Sequence, residues 1–236
     1  MDNLNRQFGR VPSPPDNRDF KLSHFMPRGA LKQTFITSKK WDFPVESLDQ
    51  EISNHCCGFA MADFGINLPT FTKYTNDDGH KFYYLCKIED GEPGMEDGSY
   101  IRSVVKVLKN LGKIEAYAFA YDMESIKWWI LNRGPMIVGT AWTEGMMIPD
   151  EENIIHVIGR TVGGHAYLLN EWREDGYIGI QNSWGTSWGD NGKAYIGSED
   201  FKKIFMYDGE AVTAVEIVKE NFFKRFFKWM NVVCKQ

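Results

Sequence analysis

Two short motifs in the last third of the chain contain residue types that can move a proton. The sequence GGHA at 163–166 places His165 after two glycines, and NSWG at 182–185 places Asn182 two residues before Trp184. An imidazole can take up and return a proton near neutral pH, and an amide oxygen can hold its ring in one orientation. The two motifs therefore indicate two parts of one active site, which still requires a nucleophile.

A nucleophile is available in the first third of the chain, where Cys56 stands at the predicted start of a buried helix. Small and apolar residues follow it, with Ala60, Met61 and Phe64 at helical spacing. A thiol at a helix N-terminus lies at the positive end of the helix dipole, which favours the reactive thiolate. Burial alone explains the neighbouring Cys57, because a free cysteine packs as a small hydrophobic residue.

Acyl transfer by a thiol needs four groups, and the chain offers a candidate for each. Cys56 is the candidate nucleophile, and His165 is the candidate acid and base. Asn182 would orient the imidazole. The side-chain amide of Gln50 and the backbone N–H of Cys56 would hold the developing oxyanion. This chemistry needs neither a metal ion nor an organic cofactor.

These residues resemble the active site of the papain-like cysteine peptidases, and most closely that of their compact bacterial and viral members. The resemblance rests on Gln50 placed six residues before Cys56, on GGHA at 163–166, and on NSWGTSWGDNG at 182–192. The last of these motifs is highly specific. Most of residues 8–205 is covered by the resemblance.

The resemblance implies a fold, an activity and a set of roles. It implies an α+β fold of two lobes, with a helical N-terminal lobe, an antiparallel, β-barrel-like C-terminal lobe, and the active-site cleft between them. The implied activity is hydrolysis of peptide bonds in a polypeptide substrate through a thioester on the cysteine. Trp184 would shield the contact between His165 and Asn182, and Gly164 is a supporting residue.

The sequence around the nucleophile departs from the usual family pattern. Animal and plant members have a glycine- and serine-rich approach, whereas SNH at 53–55 precedes Cys56 here and Cys57 follows it. A helix turns about 100° per residue, so only one of the two thiols can face the cleft. The six-residue spacing from Gln50 selects Cys56. His55 could be a second histidine near the thiol, but it is predicted to be a solvated loop residue.

The elements that must position these residues follow from hydrophobic periodicity. An amphipathic helix is predicted from Ser99 to Lys109, and a second short helix from Ser125 to Asn132. The first half of the chain is therefore mainly helical, whereas the pattern after it changes to strands. The predicted strands are 136–141, 154–158, 166–171, 177–181, 193–196 and 211–217.

The composition of the chain limits the other functions that it could have and its location in the cell. A chain of 236 residues with a net charge of −5 and a pI near 5.6 can bury a sizeable core and gives no electrostatic case for nucleic acid. No segment has the apolar core of a signal peptide or the roughly 18 apolar residues of a membrane span. Four cysteines, with one adjacent pair, are too few for a disulfide framework and wrongly spaced for zinc. We therefore expect reduced thiols in the cytoplasm, or within a virion if the protein is viral.

Both ends of the chain differ from the expected peptidase domain, which spans 41–217 with lobes of about 41–134 and 135–217. Residues 1–40 are polar and proline-rich, which predicts an extended arm. The arm either packs along the surface or lies in or near the cleft and regulates access. Residues 218–236 predict a basic-aromatic amphipathic helix, which docks on its own domain or binds a protein partner or an anionic membrane surface.

Two other functions fit the same sequence. A catalytically silent descendant would keep the fold as a structural or binding module, for example within a viral particle. A hydrolase of peptidoglycan stem peptides or of an isopeptide would keep the chemistry and change the substrate.

Overall fold

The computed structural model describes residues 6–27, 29, 36–42 and 45–216. The predicted basic-aromatic helix at 218–236 lies outside these residues. No helix in the described part of the chain is both long and apolar enough to cross a membrane.

One buried helix, Cys56–Ile66, packs against two other helices and against the sheet. All eleven residues of Cys56–Ile66 are buried, which accounts for the small and apolar composition of that segment. The next helix packs along it and begins with a capping box between Thr75 and Asp78. Within the described ranges the helices are α1 (Cys56–Ile66), α2 (Asn76–Glu89), α3 (Ile101–Asn110), α4 (Met123–Asn132) and α5 (Ser198–Asp208).

The strands form one large sheet and one short pair. They are β1 (Arg10–Val11), β2 (Lys39–Lys40), β3 (Ser99–Tyr100), β4 (Ile114–Ala120), β5 (Met136–Thr143), β6 (Ile154–Ile155), β7 (Thr161–Trp172), β8 (Tyr177–Gln181), β9 (Lys193–Gly197) and β10 (Glu210–Glu216). The large sheet has the order β4-β10-β5-β7-β8-β9-β6, with β2 on β7, and it is antiparallel except for the β6–β9 pair. The short pair is β1 with β3, which run parallel.

The predicted α+β class and the helix that opens at Cys56 are both confirmed. The sheet is not closed into a barrel among the described residues, since its order runs from β4 to β6. The predicted helix from Ser99 to Lys109 begins two residues later, because Ser99 and Tyr100 pair with β1 instead. The strand predicted over 154–158 is confined to β6. Sequence periodicity did not identify β4 or α5.

Helix α1 packs directly against β7, and this contact brings the two halves of the chain together. Buried residues of α1, such as Ala60 and Met61, share a cluster with Ala166 and Leu168 of β7. The N-terminal end of α1 therefore lies beside the part of β7 that contains His165. This packing places the candidate thiol and the candidate imidazole at the same point of the fold.

A buried polar network ties the other end of α1 to the sheet. Gln181 of β8 donates from Nε2 to the Asp63 carboxylate at 2.9 Å and accepts from Asn67 Nδ2 at 2.7 Å. Asn170 of β7 donates to Asn67 Oδ1 at 3.3 Å. Buried polar groups that bond only to one another are geometrically demanding, so the network fixes how α1 sits on β7 and β8.

Candidate active site

The imidazole of His165 and the amide of Asn182 are held together in a fully buried position. His165 Nε2 lies 2.8 Å from Asn182 Oδ1, and neither residue is exposed to solvent. An amide oxygen can only accept, so Nε2 carries the proton in this contact. The second ring nitrogen, Nδ1, is buried without a hydrogen-bond partner in the described part of the chain, so it is the nitrogen available to the Cys56 thiol.

The two neighbouring thiols have opposite acid–base character. Burial raises the pKa of Cys56, but its interactions with Cys57 and His165, among them the charge of His165, outweigh this effect and hold that pKa well below its ordinary value. The hydrogen bond with Cys56 and burial raise the pKa of Cys57 well above its ordinary value. Cys57 also lies 3.2 Å from the Ser99 carbonyl as a donor. The thiolate therefore forms on Cys56.

Gln50 is joined to the His165–Asn182 pair through Ser183. The Ser183 hydroxyl donates to Gln50 Oε1 at 2.8 Å, and the Gln50 backbone N–H donates to the Ser183 carbonyl at 2.8 Å. The side-chain Nε2 of Gln50 donates to the Ser53 carbonyl at 2.6 Å and to the Gln7 carbonyl at 3.2 Å. The residue after Asn182 therefore also orients the predicted oxyanion donor.

Aromatic rings enclose His165 on several sides. Trp184 lies with its ring centre 5.0 Å from that of His165, and Trp142 makes an edge contact at 4.8 Å. Both tryptophans are fully buried. The two rings therefore help to bury the imidazole that contacts Asn182. Trp142 was not identified from the sequence, since it reaches the site only because β5 pairs with β7, where it lies opposite Gly163.

Residues 6–10 of the N-terminal arm lie across the site. The Phe8 ring makes edge contacts with His165 and Trp184 at 5.9 and 6.0 Å between ring centres. Gly9 fits only because it has no side chain, since a Cβ there would be 1.6 Å from the Asn54 carbonyl oxygen. Residues 6–10 therefore lie along the cleft, which is the second of the two alternatives predicted for the arm.

The same close packing explains Gly164, the supporting residue of the GGHA motif. A Cβ at Gly164 would lie 2.3 Å from the Arg10 carbonyl oxygen, so only glycine allows the arm this path. Arg10 itself is buried and forms ion pairs with Asp208 and Glu210, both at 2.8 Å. These contacts anchor the arm beyond the cleft.

The prediction that His55 is a solvated loop residue is wrong. Its ring is 4% exposed and is stacked on Tyr83 with ring centres 3.8 Å apart. Its Nδ1 lies 2.7 Å from His80 Nδ1, and its Nε2 lies 2.7 Å from Glu96 Oε2. These partners come from α2 and from the acidic loop after it, so local sequence gave no sign of them.

Burial lowers the pKa of His55, and the hydrogen bond and charge of Glu96 oppose this effect. Neither this cluster nor any other in the described residues groups three His, Cys, Asp or Glu side chains so that they could hold a metal ion.

A family model and two curated relatives match parts of the chain. The model of the papain family cysteine proteases matches residues 60–209, which include His165 and Asn182. Cathepsin B-like cysteine proteinases 6 and 5 of Caenorhabditis elegans are 34% and 32% identical to this chain over 80 residues, or 33% of it. These alignments span 21% and 23% of the two relatives, so the chain spans about a fifth of their length.

Solved cysteine protease structures resemble almost the whole chain. The crystal structure of xylellain, a cysteine protease from Xylella fastidiosa, covers 91% of this chain and 97% of its own, with a TM-score of 0.75 and 18% identity. Digestive procathepsin L 3 of Tenebrio molitor larval midgut covers 90% of this chain and 77% of its own, with a TM-score of 0.62 and 14% identity. At these identities the likeness establishes a shared fold.

Proposed function

Because this chain belongs to the papain family of cysteine proteases, we propose that it hydrolyses peptide bonds in polypeptides with Cys56 as the nucleophile. The observation that carries the proposal is the arrangement of three side chains. His165 is held by Asn182 at 2.8 Å through one nitrogen, and its other nitrogen serves a thiol whose pKa is held low. A thiolate beside an imidazolium is the ground state that thiol-based acyl transfer requires.

In the acylation step the Cys56 thiolate attacks the scissile carbonyl carbon, and the carbonyl electrons move to its oxygen. The backbone N–H of Cys56 and the side chain of Gln50 stabilise that oxyanion. As the first residue of α1, Cys56 has an N–H without an acceptor inside the helix. His165 then gives its proton to the leaving amine, the C–N bond breaks, and a thioester remains on Cys56.

In the deacylation step water replaces the amine. Neutral His165 takes a proton from the water molecule, and the resulting hydroxide attacks the thioester carbonyl. Collapse of the second oxyanion breaks the C–S bond, so the acid product leaves and the thiolate–imidazolium pair is restored. Asn182 holds the imidazole through both proton transfers.

The arm must move before this chemistry can occur. The Gln50 amide has two N–H groups, of which one is used by Ser53 and the other by Gln7 of the arm. An oxyanion can take the place of the Gln7 carbonyl only after that residue has left. We therefore propose that the arm restrains activity, which makes the described arrangement a closed form of the enzyme.

Cleavage assays with the full chain and cysteine variants test the proposed function. We expect the wild type to cleave denatured casein, with peptides identified by mass spectrometry, and Cys56→Ala to lose at least a thousandfold in rate. Cys57→Ala should retain measurable turnover. Cys86→Ala is the matched control, because Cys86 is also a buried free thiol but lies outside the site. Equal activity of Cys56→Ala and wild type would refute the proposal.

The same assay separates the other two functions. Release of stem peptides from bacterial cell walls without cleavage of casein would favour the peptidoglycan hydrolase. Failure of a thiol-reactive epoxide to label Cys56, together with no cleavage of any substrate, would favour the silent module.

Three further proposals concern the domain limits, the cellular location and the partners of the protein. We propose a peptidase domain over 41–217, with lobes of about 41–134 and 135–217, that works in the cytoplasm or inside a virion, where thiols such as Cys56 stay reduced. We further propose, from sequence alone, that the amphipathic segment 218–236 contacts a protein partner or an anionic membrane surface. Localisation of a fluorescent fusion with and without charge reversal of Lys224, Arg225 and Lys228 tests the last of these.

A further inference from the structure

Arg6 of the arm occupies a small cation-binding site beside the proposed catalytic residues. Its Nη1 lies 2.5 Å from Asp49 Oδ1 and donates to the Glu51 carbonyl at 2.9 Å. Its Nη2 donates to the Trp184 carbonyl at 2.8 Å. One carboxylate and two carbonyls therefore converge on one guanidinium, whose side chain is only 10% exposed.

The receiving groups are held in place by contacts that do not involve Arg6. The Glu51 backbone N–H donates to Asp49 Oδ1 at 2.8 Å, and the Asp49 backbone N–H donates to Asn76 Oδ1 at 2.9 Å. Asp49 also forms a backbone bridge with Trp184. The carboxylate is thus oriented by its own loop, so the site persists when the arm leaves.

The position of this site relative to the proposed chemistry follows from His165. The imidazole must give its proton to the leaving amine, so the leaving-group half of a substrate lies on the side of His165 and Trp184. Arg6 contacts Trp184 directly, and Phe8 packs on both aromatic residues. The Asp49 site therefore faces residues that follow the cleaved bond.

Among the described residues of the arm, Arg6 lies on the leaving-group side. From there the arm continues past Phe8 to Arg10–Val11, which pairs in parallel with Ser99–Tyr100.

We propose that Asp49, with the carbonyls of Glu51 and Trp184, selects substrates that have a basic residue on the leaving-group side of the cleaved bond. The inference rests on the proposed peptidase function and adds a substrate preference to it. An arginine matches the site because its planar guanidinium can donate to a carboxylate and to two carbonyls at once. A lysine also has three N–H donors, but they lie on one compact nitrogen, whereas Arg6 reaches the acceptors from two nitrogens of a planar fork.

The test compares quenched fluorescent peptides that contain either arginine or its neutral isostere citrulline. The pair is placed at the first, second or third position after the cleaved bond, and the cleaved bond is verified by mass spectrometry. The enzyme is the full chain with Arg6→Ala, which vacates the site. The Asp49→Asn change is added to remove the carboxylate. The control is Glu46→Gln, since Glu46 is an exposed acidic residue three positions before Asp49 and lies outside the proposed site.

In the Arg6→Ala protein we expect about a tenfold higher kcat/KM for arginine over citrulline at one of the three positions. Addition of Asp49→Asn should reduce this ratio to about one, and addition of Glu46→Gln should leave it unchanged. Each ratio compares two peptides on the same enzyme variant. A general gain in activity caused by release of the arm affects both peptides equally and does not change the ratio.

A ratio near one at all three positions, with efficient cleavage, would overturn the inference and leave the proposed function intact. A ratio that survives Asp49→Asn, or that Glu46→Gln abolishes equally, would also overturn it. If Asp49→Asn does not fold, the ratio measured in Arg6→Ala alone decides. No cleavage of any peptide, with Cys56 unlabelled by an epoxide, would refute the proposed function and the inference with it.

Discussion

The imidazole of His165 has two nitrogens with separate tasks. Nε2 is fixed by Asn182 at 2.8 Å, which leaves Nδ1 for the thiol. A ring held in this way cannot rotate to exchange its two nitrogens. The contact between a histidine and an amide 17 positions later therefore decides which atom exchanges protons with Cys56.

Removal of the Asn182 amide should weaken catalysis without removing the nucleophile. In Asn182→Ala we expect kcat/KM to fall about a hundredfold, because a free imidazole samples orientations that cannot transfer the proton. Epoxide labelling of Cys56 should continue at a reduced rate. Asn191→Gly is the control, since Asn191 lies in an exposed turn with a positive φ of 52° that glycine also adopts. Activity within twofold of wild type in Asn182→Ala would contradict the assigned role.

The low pKa of Cys56 predicts how its alkylation depends on pH. An ordinary thiol with a pKa near 8.5 loses about tenfold in rate for each pH unit below that value. In a Phe8→Ala protein, where the site is accessible, we expect the rate at which iodoacetamide modifies Cys56 to fall less between pH 8 and pH 6 than the rate of an ordinary thiol. Adding Cys57→Ala should move this dependence to higher pH, because a hydrogen bond that lowers the pKa is lost. Mass spectrometry of the modified peptide measures both rates.

At the scale of elements, the arm covers the cleft. Its residues 6–9 touch Asp49, Gln50, His165 and Trp184, whereas Arg10 anchors it to Asp208 and Glu210 beyond the cleft. The arm pairs with another strand over only two residues, and a segment with so short a pairing can be displaced more easily than a strand packed along its whole length.

Loss of the Phe8 ring should therefore raise activity. In Phe8→Ala we expect kcat/KM for a peptide substrate to increase about tenfold, because the arm loses the buried apolar area that holds it on His165 and Trp184. Phe25→Ala is a matched control, since Phe25 belongs to the same arm and is 63% exposed. Unchanged or lower activity in Phe8→Ala would contradict the proposal that the arm restrains the enzyme.

The sequence predicted those elements whose signal is local. The helix that opens at Cys56 is visible because a buried helix needs apolar residues on every side. The NSWG motif is visible because Asn182 and Trp184 lie in one turn. The pairing of His55 with His80 and Glu96, and the arrival of Trp142 beside His165, depend on how distant segments pack. No pattern along the chain reports such contacts.

The contacts of the arm could not be predicted from the sequence either. Its prolines predict an extended segment, and this is what residues 6–11 form. Nothing in the spacing of Arg6 or Phe8 shows that their partners lie more than 40 and 150 positions away, at Asp49 and Trp184 respectively. The sequence therefore supplied both alternatives for the arm but not the choice between them.

At the scale of the whole molecule, the buried network of Asp63, Asn67, Asn170 and Gln181 joins α1 to the sheet. Burial raises the pKa of Asp63 to about 7, and the hydrogen bond from Gln181 opposes this effect. The folded protein therefore holds a proton on Asp63 that the unfolded chain releases above a pH of about 4. Unfolding at a pH between about 4 and about 7 therefore releases this proton to the solvent.

The stability of the protein should therefore decrease as the pH rises from about 4 to about 7 and then become level. The contribution of Asp63 is about 1.4 kcal/mol for each pH unit within that range. In Asp63→Asn, urea unfolding should lose this component of the pH dependence, whereas the exposed Asp77→Asn should keep it. The same pH dependence in wild type and Asp63→Asn would contradict a buried, protonated Asp63.

Identification of the acylated residue tests the central claim most directly. A slowly hydrolysed peptide ester is mixed with the full chain or its Phe8→Ala variant, the reaction is stopped with acid, and the modified peptide is sequenced by mass spectrometry. We predict that the acyl group is found on Cys56 and is absent when Cys56→Ala is used. An acyl group on Cys57, or hydrolysis of the ester with no acylated cysteine, would contradict the account.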